Sequence, residues 1–85
     1  MITKRQEAIL KILLDADRSG RSHDMDTLMS ALAAAGHSVG TKQSIQCSIR
    51  FLERKDLVQR EYEARRERKR AVLLPTHNAY KLGIT

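Results

Sequence analysis

The segment between residues 41 and 70 constrains the fold of this chain more than any other stretch. In its first half, Ile45, Ile49 and Leu52 recur at i, i+4 and i+7, which places them on one face of an α-helix. The residues between them are mostly polar and point elsewhere. We therefore predict a helix over residues 41–55 that packs with one face and leaves a polar face free.

Both ends of this helix carry a recognisable signal. Thr41 can cap its start, because a threonine hydroxyl accepts a hydrogen bond from a backbone N–H of the first turn. Asp56 follows its end, and aspartate is one of the few residues that tolerate a left-handed conformation. These signals predict a defined turn between the helix and the strand that begins at Leu57.

The second half of the segment predicts a β-hairpin. Residues 57–63 and 69–74 alternate apolar with polar side chains, as in strands that pack one face on a core. The residues between them, 64–68, include no Gly, Pro, Asn or Asp, which tight turns favour. We therefore expect a longer or mobile loop at this tip.

The first helix begins at a capping box, in which Thr3 and Gln6 each bond the backbone of the other. Apolar residues then repeat at helical spacing up to Ala16, which predicts a helix over residues 4–16. The apolar stripe is wide, and two interpretations remain open. It can pack partly against a second subunit, or it can be buried entirely within a small bundle.

Two further helices complete the chain. Asp24 can cap a helix over residues 25–35, and a link with two glycines joins it to the helix at 41–55 as a helix-turn-helix. Thr76 can cap a short last helix over residues 77–82. That helix can complete the core or form a dimer interface.

The length of 85 residues indicates one small domain spanning residues 1–85. Such a domain buries about 60–65% of its unfolded surface, so a dimer interface is a reasonable supplement to its stability. Phe51, Tyr62 and Tyr80 are the whole aromatic set, which makes the core aliphatic and leaves little for stacking single-stranded bases. The predicted fold class is α+β, mostly α: three helices, a two-stranded hairpin and a short C-terminal helix.

The net charge of +6 is distributed unevenly. Residues 1–40 carry five basic and five acidic side chains, whereas residues 41–85 carry 11 basic and 5 acidic ones. An excess of positive charge in one half of a chain suggests a polyanion as partner, most simply nucleic acid. A generally basic surface without a specific partner is the alternative.

Sequence signals for catalysis, cofactors and membranes are absent. His23, His37 and His77 lie in separate segments, and no metal-ligand spacing, phosphate loop or nucleophile motif occurs. We expect no enzyme, no metal, no cofactor, no small-molecule substrate and no membrane partner, and a cytoplasmic location. The single cysteine, Cys47, excludes an intramolecular disulfide; it suits a redox switch or a small packing residue, and we favour packing.

The residues from Ile45 to Arg60, with Leu74-Pro75-Thr76 after the hairpin, resemble the recognition helix, wing and following helix of bacterial MarR-type winged helix-turn-helix repressors. Those repressors usually carry Gly at the position of Asp56 and Leu-Thr at that of Pro75-Thr76. The opening Ile2–Gln6 resembles the start of the DNA-binding domain of LexA-type SOS repressors, whose self-cleavage domain has no room here. The resemblance, over most of residues 2–83, implies a winged helix-turn-helix domain that binds DNA.

Resemblance and charge together predict a sequence-specific, double-stranded DNA-binding transcription regulator, a small homodimeric repressor associated with the nucleoid when bound. The helix at 41–55 would read the major groove, and the wing at 60–70 would contact the backbone or the minor groove. The expected DNA-binding residues are Thr41, Lys42, Gln43, Ser44, Gln46, Arg50, Arg65, Arg66, Arg68, Lys69 and Arg70.

Gln43 and Gln46 suit adenine edges, and Lys42 or Arg50 suits guanine or phosphate. Two alternatives use the same surface: an interaction module for an acidic protein, and a shape-specific binder of double-stranded RNA. Against the first, the outer face of the helix carries no apolar or aromatic anchor of the kind that dominates protein interfaces.

Overall fold

A computed structural model describes residues 2–37, 40–65 and 68–83, with the side chains of residues 63–65 and 68–70 outside the description. The order of elements confirms the predicted fold class. They are α1 (Lys4–Arg18), α2 (Met25–Ala34), α3 (Lys42–Arg54), β1 (Val58–Arg65), β2 (Arg68–Pro75) and α4 (His77–Lys81). β1 and β2 form a two-stranded antiparallel sheet.

Helix α1 begins at the predicted capping box. The Gln6 N–H donates to the Thr3 hydroxyl at 3.2 Å, and the Thr3 N–H donates to the Gln6 side-chain oxygen at 2.9 Å. The helix ends at Arg18, two residues beyond Ala16, because backbone hydrogen bonds continue past the last apolar position and close at Ser19. The apolar pattern therefore indicated the packed part of the helix rather than its end.

The wide apolar stripe of α1 is buried within this chain. Ile9 and Leu10 have no exposed surface, and Leu13 and Leu14 are each 1% exposed. Helix α1 contacts α2, α3, α4 and β2, so it is the common support of the fold. Of the two interpretations of the stripe, burial in a single-chain core accounts for its breadth.

Helix α2 and the start of α3 follow the predicted capping. The Asp24 carboxylate accepts the Thr27 N–H at 2.8 Å, and the Thr41 hydroxyl accepts the Ser44 N–H at 3.1 Å. After α2, Gly36 adopts a φ of +83°, the left-handed conformation with which helices commonly end. Leu28 and Leu32 of α2 and the apolar face of α3 join the core.

The hairpin is longer and differently packed than predicted. Its strands pair from Val58↔Pro75 to Arg65↔Arg68, so the longer loop expected over residues 64–68 is wrong at residues 64, 65 and 68, while residues 66 and 67 lie outside the described residues. Backbone pairing continues through charged residues, because the ladder needs only backbone groups and not the apolar alternation that marks a half-buried strand.

The base of β2 is covered on both faces. Val72 and Leu73 are 1% and 3% exposed although they point to opposite sides of the strand. The Leu73 N–H donates to the carbonyl oxygen of His23 at 2.8 Å, and this isolated antiparallel bridge adds a neighbour to β2. The predicted one-sided alternation is therefore wrong at this point, where β2 also contacts α1, α2 and α4.

Beyond its base, the hairpin leaves the core. Residues 59–62 of β1 are all exposed, and Tyr62 keeps 69% of its surface accessible. Burial of the hairpin is thus concentrated at its base, near Val58, Val72 and Leu73. The outer part of the hairpin projects as a wing.

The turn after α3 is fixed by the start of α4. Asp56 has a φ of +57°, which confirms the left-handed conformation predicted for it. Its carbonyl oxygen accepts the Thr76 hydroxyl at 2.5 Å, and its carboxylate accepts the Asn78 side-chain amide at 2.8 Å. Thr76 is the N-cap residue of α4 as predicted, but its hydroxyl makes no capping hydrogen bond and donates to Asp56.

The end of α4 is attached to the end of α1. The Tyr80 hydroxyl donates to the Asp17 carboxylate, and the Arg18 guanidinium lies 5.6 Å from the centre of the Tyr80 ring. The hydrogen bond to Asp17 raises the pKa of Tyr80, since ionisation would remove the donated proton. Helix α4 is thus held at both ends, by Asp56 and by Asp17.

The left-handed turn gives a stability prediction. Asp56→Ala should lower the free energy of unfolding by about 1–2 kcal/mol, because alanine is strained at this φ and cannot bond Asn78. Asp56→Gly should cost less, since glycine adopts positive φ freely. Urea denaturation measures both. Equal reductions in the two variants would show that backbone strain contributes nothing at this turn.

Candidate functional site

The outward face of α3 is polar and accessible. Ile45, Ile49 and Leu52 face the core without exposed surface, so the opposite side of the helix points to solvent. The exposed side chains there recur at i, i+4, i+7 and i+11. We call them the α3 stripe: Gln43, Cys47, Arg50 and Arg54.

One flank of the α3 stripe borders the wing. A cleft of about 200 Å³ lies there, with a floor of apolar side chains from α2 and β2. Lys42, Gln46, Arg50 and Arg60 supply its polar lining. The structure thus brings three predicted site residues together with Arg60, which the expected set did not include.

Two cations of this cleft are paired with carboxylates of the same chain. Lys42 Nζ lies 3.6 Å from Asp26 Oδ1, and Arg60 Nη2 lies 2.9 Å from Glu53 Oε1. The first pair is largely exposed and the second about one-third exposed, so each contributes at most about 1 kcal/mol. Such a pair orders the cationic side chain, and another anion can replace the carboxylate. The second pair also joins α3 to the wing.

The other flank of α3 meets the start of α1. Arg5 Nη1 donates a hydrogen bond to the Ser44 hydroxyl. A Cβ added at Gly40 would lie 3.7 Å from Arg5 Nη2, so the guanidinium occupies the approach to α3. Ser44 is half-buried by this contact, whereas Thr41 stays exposed, and each hydroxyl still has a proton to donate.

The predicted wing residues lie at the far end of the hairpin. Arg65 pairs with Arg68, Ala64 with Lys69 and Glu63 with Arg70 in the backbone register. The side chains of Arg65, Arg68, Lys69 and Arg70 lie outside the described part of the structure, as does the whole of Arg66. Their contact with a ligand stays a prediction.

Sequence reasoning missed four residues at this surface. Cys47 and Arg54 belong to the α3 stripe, and extending the helical spacing from Gln43 would have found both. Arg60 was counted in the basic hairpin without a site role. Arg5 had no signal, since its contact with Ser44 joins residues 39 positions apart.

Cys47 is exposed, so its interpretation as a packing residue is wrong. The usual burial of thiols misled that interpretation, because position 47 lies on the side of α3 opposite the core.

Within residues 2–37, 40–65 and 68–83, no three His, Cys, Asp or Glu side chains are grouped to hold a metal ion. Helices in these ranges are also too short and too polar to span a lipid bilayer.

Comparison with known proteins assigns the fold. No protein-family model and no curated protein matches the chain. Among solved structures, it is similar to a mutant of MepR from a multidrug resistant S. aureus clinical isolate, with a TM-score of 0.75 and 23% sequence identity. The match covers 95% of this chain and 51% of the MepR chain, so the chain spans about half the length of that protein.

The class of fold is therefore a winged helix-turn-helix, with α2 and α3 as the helix pair and β1–β2 as the wing. A sequence identity of 23% supports the assignment of the fold but not of a function. The expected resemblance to winged helix-turn-helix proteins is confirmed at that level.

Exposure of the only cysteine gives a direct test of the α3 stripe. Native protein should react with one equivalent of N-ethylmaleimide without denaturant, because the Cys47 thiol is accessible. Mass spectrometry measures the adduct, and Cys47→Ser serves as the unreactive control. Modification that occurs only after unfolding would place position 47 in the interior and contradict the stripe.

Proposed function

We propose that this chain is a sequence-specific, double-stranded DNA-binding transcription regulator, most simply a small repressor that acts in the cytoplasm. The observation that carries the proposal is the polar α3 stripe beside a cation-lined cleft at the base of a projecting wing. A helix presented in this way fits the width of a major groove. The excess positive charge of residues 41–85 supplies the attraction to phosphate.

Base reading would come from the exposed side of α3. Gln43 is exposed on the stripe and Gln46 lies at the mouth of the cleft, and each amide can donate to and accept from an adenine edge. Arg50 belongs to both the stripe and the cleft, so it can reach guanine or a phosphate. Lys42 would exchange Asp26 for a phosphate oxygen.

Backbone contacts would come from the start of α3 and from the wing. Thr41 and Ser44, with the helix N-terminus, would hold one phosphate. The wing residues Arg65, Arg66, Arg68, Lys69 and Arg70 would follow phosphates or enter a narrow minor groove. The backbone positions of Arg65, Arg68, Lys69 and Arg70 at the far end of the hairpin support this role.

We further propose that the chain reads DNA in the manner of MarR-type repressors. The turn after α3 supports this, because those repressors usually carry Gly where Asp56 adopts a φ of +57°. Aspartate with its Asn78 partner provides the same left-handed turn. Symmetric binding as a homodimer would bring two copies of α3 to successive major grooves, and Leu82, 48% exposed after α4, offers apolar surface for the interface.

Selection from a randomised duplex pool at two salt concentrations tests the function. We expect enrichment of an inverted repeat with half-sites about one helical turn apart. Gln43→Ala/Gln46→Ala should still bind duplex DNA but with base preference reduced by about 1–3 kcal/mol for each bidentate hydrogen-bonding pair removed. Salt-sensitive binding without a motif would contradict sequence reading, and no binding, or a preference for RNA duplexes, would overturn the proposal.

Replacing Arg65, Arg66 and Arg68 with Ala tests the wing. Binding to all duplexes should weaken, and the slope of log K against log salt should flatten by about 0.9 for each phosphate that the variant no longer neutralises. The measurement is a titration of labelled duplex at several salt concentrations. An unchanged slope would remove the wing from the interface while leaving α3 as the reading helix.

A further inference from the structure

The basic residues of α1 are concentrated in its first half. Lys4, Arg5 and Lys11 lie there with one acidic residue, Glu7, whereas Asp15 and Asp17 lie near the other end. The balanced charge of residues 1–40 therefore conceals a local excess. Except for Arg18 in the last turn, the positive side chains of α1 lie in the half that meets α3.

These residues line a groove between the start of α1 and the end of α2. Lys4, Glu7, Ala8 and Lys11 follow each other at i, i+3, i+4 and i+7, and with His37 they border an open volume of about 370 Å³. An adjoining volume of about 210 Å³ shares three of these residues and adds Arg5 and Leu32. We call the two volumes together the α1 groove.

The α1 groove reaches the start of α3 through the hydrogen bond from Arg5 to Ser44. In a helix with 3.6 residues per turn, Ser44 lies on one flank of the α3 stripe, and Lys42 and Gln46 lie on the other flank. Lys42 and Gln46 line the cleft beside the wing. The groove and the wing therefore stand on the two sides of the reading helix.

We infer that the α1 groove is a second phosphate-binding surface of the DNA interface. This inference rests on the proposed function. A major groove is bordered by two strands, so a duplex seated on the α3 stripe would bring one strand to the wing and the other to Lys4, Arg5 and Lys11. Lys4 and Lys11 are about 10 Å apart along the axis of α1, and about 10 Å of duplex axis carries about three phosphates of one strand.

The cations of the groove are available for this contact. Within the described part of the chain, neither Lys4 nor Lys11 forms an ion pair, whereas Lys42 and Arg60 do. Glu7 lines the groove between the two lysines and lowers its positive charge. The groove retains a net excess of two positive charges from its Lys, Arg and Glu side chains.

The test compares two double variants of equal net charge. Lys4→Gln/Lys11→Gln removes two exposed lysines of the groove. Arg21→Gln/Lys81→Gln removes two exposed cations near the opposite end of α1, where Arg21 bonds Ala16 and Lys81 follows Tyr80. Because both variants lose two positive charges, the long-range effect of net charge on DNA binding is the same in both. Circular dichroism checks that both variants keep the helical content of the parent.

Titration of the best-enriched duplex, or a mixed-sequence duplex, at several salt concentrations gives the result. The groove variant should flatten the slope of log K against log salt by roughly 0.9 per phosphate released, up to about 1.8 for each bound protomer, while the control keeps the parental slope. Within each half-site, phosphate-ethylation interference should weaken along one strand in the groove variant and along the other strand in the wing variant. Base preference should stay unchanged.

Equal slopes for the groove and control variants, with parental binding intact, would overturn the inference that the α1 groove binds phosphates. The proposed function would then still stand. Retention of an acidic peptide by the groove, with no change in DNA slope, would likewise assign it to a protein partner. Failure of the parent chain to bind any duplex would overturn both proposals.

Discussion

Burial of the aliphatic stripe of α1 is the interaction on which the rest of the structure depends. Ile9, Leu10, Leu13 and Leu14 are at most 1% exposed, and each contributes about 1.5–3 kcal/mol when fully buried. Because α2, α3, α4 and β2 all contact this helix, it sets the position of α3 and of the wing base together.

Polar side chains of the candidate interface are held by the protein itself. Arg5 bonds Ser44, Lys42 approaches Asp26, and Arg60 bonds Glu53. Exposed pairs of this kind are weak, so in a complex of the proposed type a phosphate can replace the carboxylate at small cost. In such a complex, the same pairs would reduce the attraction for a polyanion that does not match the geometry.

The sequence predicted elements defined by local interactions and failed where distant residues meet. The caps at Thr3, Asp24 and Thr41 were confirmed, and the left-handed turn at Asp56 was predicted from the tolerance of aspartate for that conformation. The bridge from His23 to Leu73 had no sequence signal, because it joins segments 50 residues apart.

The candidate site shows the same division between local and distant contacts. Arg60 and Arg5 acquired their places only through packing of the wing and of α1 against α3, and Cys47 was misassigned because a residue-type tendency was preferred to its position on the helix.

By itself, the sequence determined the helices, their caps, the presence of a hairpin and the excess charge of the second half. These depend on interactions over three or four residues, or on composition, and both can be read along a chain. Only the tertiary structure decided that α1 is central, that β2 is covered on both faces and that Arg5 lies beside α3. Those features require contacts between residues far apart in sequence, which the burial of one shared aliphatic core brings together.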